Sequence, residues 1–231
     1  MVYYRKIKNG EKKTMTDRQA GIAANKEAIA ELLKKELASK SSHEWKEPGN
    51  KYDHGVRTAK LTLHLRELIF PDTDDPALDE DILTVAAWFH DICNGQDDHE
   101  RAGAEYIKTL LAEYCTAEEL AAVCDLVRVH DHRTTEPEKT MPDAVKLLQD
   151  ADMLDHLGTY DVWITFCEFC HQHRTPLEYA EQFTNGVFDR FAAHWRSRMN
   201  YPQSLEIFEE KIAFECAFAR RMLRELNGEF C

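Results

Sequence analysis

Apolar residues in this chain recur almost everywhere at three- and four-residue spacing, and hardly anywhere in the alternation that a half-buried strand requires. From Asp17 to Ala38 the stripe is Ile22, Ile29, Leu32, Leu33 and Leu37, with Thr16 or Asp17 placed to cap it. A polar break over Ser39–Asn50 precedes a second helix, about Tyr52 to Phe70, which stops at the Asp-rich stretch Pro71–Pro76. Asp79 caps a third, Glu80 to about Asp91. Two more follow, Asp98–Tyr114 and Ala117–Val129, the second opened by the capping box Thr116-x-x-Glu119. Past the polar turn His130–Pro142 the pattern predicts a helix from Asp143 to about Leu157. A short, largely apolar one over Tyr160–Cys170 is expected to be buried. Thr175-Pro176-x-Glu178 opens a helix reaching Met199, and the last runs from about Ser204 to Leu226. No repeat or domain-sized linker interrupts them. The expectation is all-α: a basic N-terminal arm over residues 1–15, then a single bundle of about eight to nine helices over 16–231.

Composition narrows the function classes. With 29 Lys and Arg against 42 Asp and Glu the formal charge is −13, a field that repels polyanions, so duplex nucleic acid is a poor partner. The longest largely apolar runs, Val85–Phe89 and Val162–Cys167, fall far short of the roughly 20 residues needed to cross a bilayer. The start, Met1–Thr14, is basic but lacks the apolar stretch of a secretory signal, and seven scattered cysteines point to reduced thiols. A cytoplasmic protein is expected. Cys167-x-x-Cys170-His171 matches a metal- or haem-type spacing, yet Trp163, Ile164, Phe166 and Phe169 around it favour a packing role for both sulfurs.

Chemistry gathers at helix ends. His54 opens the second helix, His90-Asp91 closes the third and Asp152 lies inside the sixth, so three helices can bring imidazoles and carboxylates to one cation. Neighbouring helical residues diverge by about 100°, so His90 and Asp91 share an ion only beside a helix end, which is where they fall. A set of N and O donors without thiolate favours Mn, Fe, Mg or Zn. His99 at the start of the fourth helix and His130 at the end of the fifth would extend the set to six, holding two ions about 3.5–4 Å apart bridged by Asp91. For contacting a substrate anion Arg57, one turn from His54, comes first, then Lys60 and Arg133. Asp155, one turn past Asp152, could orient a ligand or an attacking water, whereas His64, His132, His156 and His194 are read as surface or core residues.

In their order, His54-Gly-Val-Arg57, Ala86-Ala-Trp-Phe-His90-Asp91-Ile92 and Gln149-Asp-Ala-Asp152-Met-Leu-Asp155 resemble the HD superfamily of metal-dependent phosphohydrolases. The resemblance spans roughly Trp45 to Asp161. It implies an HD-type bundle and a phosphohydrolase that cleaves a phosphoester or phosphoanhydride of a small nucleotide, with His54, His90, Asp91 and Asp152 as metal ligands. His99-x-x-x-Gly103-Ala104 and Val129-His130 are similar to the extra ligands of two-metal members. Where several members carry a Glu three residues after the paired Asp, this chain has Asn94, and no Gly-Tyr-Pro follows His130, against the cyclic-dinucleotide branch. The same six-ligand scaffold resembles the di-iron oxygenases related to inositol oxygenase. A non-catalytic sensing module with a structural metal is the third reading, and a homodimer stays open.

Overall fold

The computed structural model describes residues 21–132 and 141–230; the basic arm, Thr16, Asp17 and Arg133 lie outside them. The described residues form ten α-helices and no strand: α1 (Gly21–Leu37), α2 (Asn50–Ile69), α3 (Glu80–Phe89), α4 (His99–Leu110), α5 (Ala117–Val129), α6 (Asp143–Asp155), α7 (Thr159–His171), α8 (Pro176–Gln182), α9 (Val187–Arg196) and α10 (Pro202–Leu226). One turn of 3-10 helix, Pro76–Leu78, leads into α3. None is long and apolar enough to cross a membrane.

The most apolar helix is the central one. In α3, Leu83, Val85, Ala86, Ala87 and Phe89 are all buried, because α1, α2, α5 and α6 surround it. A helix apolar on every side has no other place to go. Asp79 caps it by accepting from the Asp81 and Ile82 backbone N–H groups, and the helix stops at Phe89, leaving His90 and Asp91 just beyond its end. α4 and α5 pair beside it, with Thr116 and Glu119 forming both bonds of the capping box.

Two helices cross here at backbone contact. A Cβ at Gly55 of α2 would stand 2.6 Å from the Trp88 carbonyl oxygen of α3, closer than any side-chain carbon can sit. The missing side chain lets α2 lie against α3, and His54, the preceding residue, is thereby carried to His90.

Three acids in the second half of α6 point in two directions. Asp150, fully buried, turns towards the start of α10 and accepts from the backbone N–H groups of Asn200 (3.0 Å) and Tyr201 (3.2 Å) and from Asn200 Nδ2 (2.8 Å). That bond set anchors the C-terminal helices to the core helix. Asp152 and Asp155 turn the other way, towards α2 and α3.

Two expectations need correction. The helix read from Pro176 to Met199 is two, broken where Thr184, Asn185 and Gly186 intervene and Gly186 takes φ +77°, which brings the count to ten. Phe183, Phe188, Phe191 and Trp195 still touch ring to ring in sequence order across that break, so the apolar spacing alone gives no sign of it. The short helix α7 is not buried on most sides: Val162 and Phe169 are, while Trp163 is 58% exposed. Phe169 packs with Tyr179 of α8 and Ala219 of α10 in a cluster separate from the main core.

A Gly55→Ala variant is expected to lose about 1–3 kcal/mol of stability, the usual cost of forcing a methyl into a packed crossing. Urea unfolding checks this, and an unchanged midpoint would mean that α2 can retreat from α3 freely.

Candidate metal centre

At the α2, α3, α6 crossing, imidazoles and carboxylates from separate helices share one small volume; His54, expected to open α2, stands in its second turn because the helix begins at Asn50. His54 Nε2 lies 3.1 Å from His90 Nε2, 3.3 Å from Asp152 Oδ1 and 4.0 Å from Asp91 Oδ2. His90 Nε2 lies 3.6 Å from Asp152 Oδ1 and 3.9 Å from Asp91 Oδ1. On the far side of Asp91, the same Oδ1 faces His130 Nε2 at 3.6 Å and His99 Nε2 at 3.7 Å. Asp91 thus stands between two groups of histidines, with Oδ2 towards His54 and Oδ1 towards His99 and His130.

The other ring nitrogens decide what these atoms can do. His54 Nδ1 donates to Asp155 Oδ2 at 2.8 Å, His90 Nδ1 to the Ala87 carbonyl at 2.8 Å and His130 Nδ1 to the Val127 carbonyl at 2.7 Å. His99 Nδ1 sits 3.4 Å from Glu100 Oε2. With Nδ1 carrying the hydrogen, a neutral ring has its lone pair on Nε2, the atom that faces Asp91 and Asp152. Two His90-type bonds run to carbonyls one turn back on the same helix, so the tautomer is set locally by placing a histidine at a helix end.

Such a set fits a divalent cation. Ligand atoms about 2.1 Å from one ion stand roughly 3.0–3.4 Å from each other, close to the shortest separations here. Among the described residues, His54, His90 and Asp91 form one group whose ligand atoms all lie within 4.8 Å of one another; Asp91, His99 and His130, then His54, Asp152 and His156, and His99, Glu100 and Asp131 form the others. These clusters are able to hold a metal. Without one, two Nε2 lone pairs 3.1 Å apart would repel, so His54 takes the proton instead. Burial opposes that charge, but the bonds to Asp152 and Asp155 outweigh it and raise the His54 pKa to about 10. Asp91 and Asp152 are held well below the ordinary carboxylate range: burial would raise them, and the facing histidines overcome it.

Asp155 is where the structure adds most to the sequence reading. It accepts from His54 Nδ1 and also takes a two-pronged bond from Arg57, Nε at 2.7 Å and Nη2 at 2.8 Å. The guanidinium is stacked 4.0 Å from the Tyr160 ring centre. Arg57, Asp155 and His54 form a relay that fixes the His54 ring. Lys60 is exposed, outside this group.

Two more residues stand at the centre: His156, which the sequence reading passed over, and Asn94, which it named only as a departure from the family pattern. His156, read as a surface or core residue, has Nε2 3.5 Å from Asp152 Oδ1 and its ring 4.8 Å from that of His54. Its i+4 spacing from Asp152 was the available signal. Asn94 donates to Asp91 Oδ2 at 2.8 Å, tying down the carboxylate that stands between the two histidine groups. The pocket above the centre, about 170 Å³, has His54, Asp91 and His156 in its lining, with Lys46 and Lys51 contributed by the α1–α2 loop and the first turn of α2.

With the helices and the histidine–aspartate centre in place, a family model described as the HD domain matches residues 52–157, the segment that carries the centre. The chain's solved neighbours share the fold at low identity. An HD-superfamily hydrolase from Bacillus thuringiensis is 19% identical with a TM-score of 0.61, covering 88% of this chain and 97% of its own. YpgQ of Bacillus subtilis, in complex with ADP, is 18% identical at 0.59, covering 86% and 93%. A protein of an uncultured Thermotogales bacterium, described as an HD superfamily hydrolase, is 18% identical at 0.58, covering 87% and 93%. No curated protein matches the chain.

Two outcomes are expected. Asp155→Asn should weaken divalent-metal binding by about 10–100-fold, the usual effect of losing a bond that orients a ligand, as read by titration against a chelating dye. Because the His54 pKa is raised, metal must displace its proton. Apparent Mn affinity should therefore climb with pH above neutrality, up to about tenfold per unit, levelling near pH 10 where the proton is already gone. The stability contributed by protonated His54 in the metal-free chain runs the opposite way, present below about pH 6.5 and lost as pH rises through about 10.

Proposed function

We propose that this protein is a divalent-metal-dependent phosphohydrolase that cleaves a phosphoester or phosphoanhydride of a small, nucleotide-like substrate. The observation that carries the reading is the set of imidazoles whose Nδ1 atoms are spent on fixed acceptors while their Nε2 atoms turn to Asp91 and Asp152. His54, His90, Asp91 and Asp152 would hold one cation; Asp91, His99 and His130 would hold a second. A divalent cation bound there supplies Lewis acidity for a phosphoryl oxygen and draws the pKa of a coordinated water towards about 7.

The chain's own residues supply the rest. Asp155 and Arg57 keep His54 in one tautomer and one orientation, so Arg57 acts through Asp155, two of its nitrogens being committed there. Asn94 holds Asp91 in its position between the two histidine groups. His156, half exposed at the pocket, is placed to donate to an anionic oxygen or to a leaving group. The nucleotide assignment is supported by the ADP bound to the B. subtilis neighbour.

Purified protein assayed anaerobically with Mn against nucleoside mono-, di- and triphosphates is expected to release phosphate or pyrophosphate. Asp91→Ala and Asp152→Ala should each lose bound metal and at least about a thousandfold in kcat/KM, about 4 kcal/mol of transition-state stabilisation. Activity that required O₂ and bound iron would instead assign the di-iron oxygenase chemistry. Full metal content and activity in Asp91→Ala would remove the centre from the mechanism.

A further inference from the structure

The wall of the pocket raises a question of charge. The chain carries a formal charge of −13, and its metal centre is lined with carboxylates, so an anionic substrate needs a local cationic entry. Arg57 is locked to Asp155 and Lys60 is exposed outside the centre. Lys46 and Lys51 remain, and both line the same pocket as His54 and Asp91.

We infer that Lys46, assisted by Lys51, is the receptor for the non-reacting phosphate of the substrate, holding it above the metal centre; this rests on the phosphohydrolase reading. Lys46 is half-buried, and no hydrogen bond or ion pair holds its ammonium among the described residues; the Trp45 ring lies 5.3 Å from its Nζ. Burial lowers its pKa, while Glu47, Glu168, Asp91 and Asp161 attract it from a distance without contact. A partly desolvated cation whose described neighbour is an aromatic ring rather than an anion gains when an anion enters. Lys51 is already aimed: its Nζ donates to the Asn94 carbonyl at 2.7 Å, on the turn whose side chain holds Asp91. An ammonium has further donors for a phosphate oxygen.

The loop that carries Lys46 is tethered. Asn50 accepts from the Ser42 backbone N–H at 3.0 Å, Tyr160 donates to Glu47 Oε1 at 3.3 Å, and His171 of α7 pairs with Glu44 at 3.1 Å. α7 thus holds the loop over the pocket, and Lys46 is presented from a fixed frame. This arrangement predicts a substrate with at least two phosphate groups, one at the metals and one at the lysines.

The test uses the full chain loaded with Mn and two readouts. Titration with pyrophosphate, followed calorimetrically, should show at least about tenfold weaker binding in Lys46→Met, the loss expected when a charge-assisted bond is removed, and near-normal binding in Lys46→Arg. On whichever nucleotide the wild-type protein hydrolyses, Lys46→Met should raise KM by a similar factor, leave kcat within about threefold and leave Mn content unchanged. Lys51→Met should behave likewise with a smaller effect. If Lys46→Met keeps its Mn and its circular dichroism but binds pyrophosphate as tightly as the wild type, the inference is overturned while hydrolysis stands. If the wild type hydrolyses nothing, the phosphohydrolase reading fails and pyrophosphate binding alone judges the lysines; no binding by the wild type overturns their assignment.

Discussion

Two histidine nitrogens 3.1 Å apart, each with its other ring nitrogen already donating, cannot both present lone pairs to one another. Something positive must lie between or upon them. Without a cation, the contacts of His54 Nε2 with Asp152 and of Nδ1 with Asp155 favour the protonated ring and raise its pKa; a divalent cation would take the place of the Nε2 proton with more ligands and more charge. The rest of the structure is arranged around this requirement. Asp91 and Asp152 stay ionised despite burial because the imidazoles face them, and the imidazoles stay oriented because helix-end carbonyls and Asp155 hold their far sides.

The bundle meets that requirement with ordinary helical means. His90 and His130 occupy the position just past a helix, where a side chain can bond a carbonyl one turn back and still aim its other nitrogen away from the helix. His99 opens a helix, and Asp152 and Asp155, one turn apart, share a face. Gly55 lacks the Cβ that would meet the Trp88 carbonyl and push α2 off α3 at that point. The apolar helix α3 then fixes the distance, since Val85, Ala86 and Phe89 are sealed on all sides and cannot shift without opening voids.

The C-terminal helices lie outside the HD-domain match, yet they are fastened to it through the acids and loops nearest the centre. Asp150 receives the start of α10, and Glu215 of α10 accepts from the Gly158 backbone just after α6. α7 holds the α1–α2 loop over the pocket by Glu44 and Glu47. The part of the chain outside the HD-domain match therefore borders the mouth of a centre built within it.

The amino-acid sequence determined the class of fold and the chemical kind of centre. Helical spacing of apolar residues is a local property, and a histidine or aspartate at a helix end is visible in the caps and breaks around it. His90, Asp91, His99 and His130 were legible for that reason, His54 and Asp152 through the order of the motifs that hold them, and the structure brings the six side chains together. Only the tertiary structure decided the break between α8 and α9, the exposure of Trp163, the Arg57–Asp155–His54 relay, and the presence of His156, Lys46 and Lys51 at the pocket. The relay depends on surfaces that meet across a gap of about a hundred residues, as between His54 and Asp155, and a period of three or four residues carries no information about such a meeting.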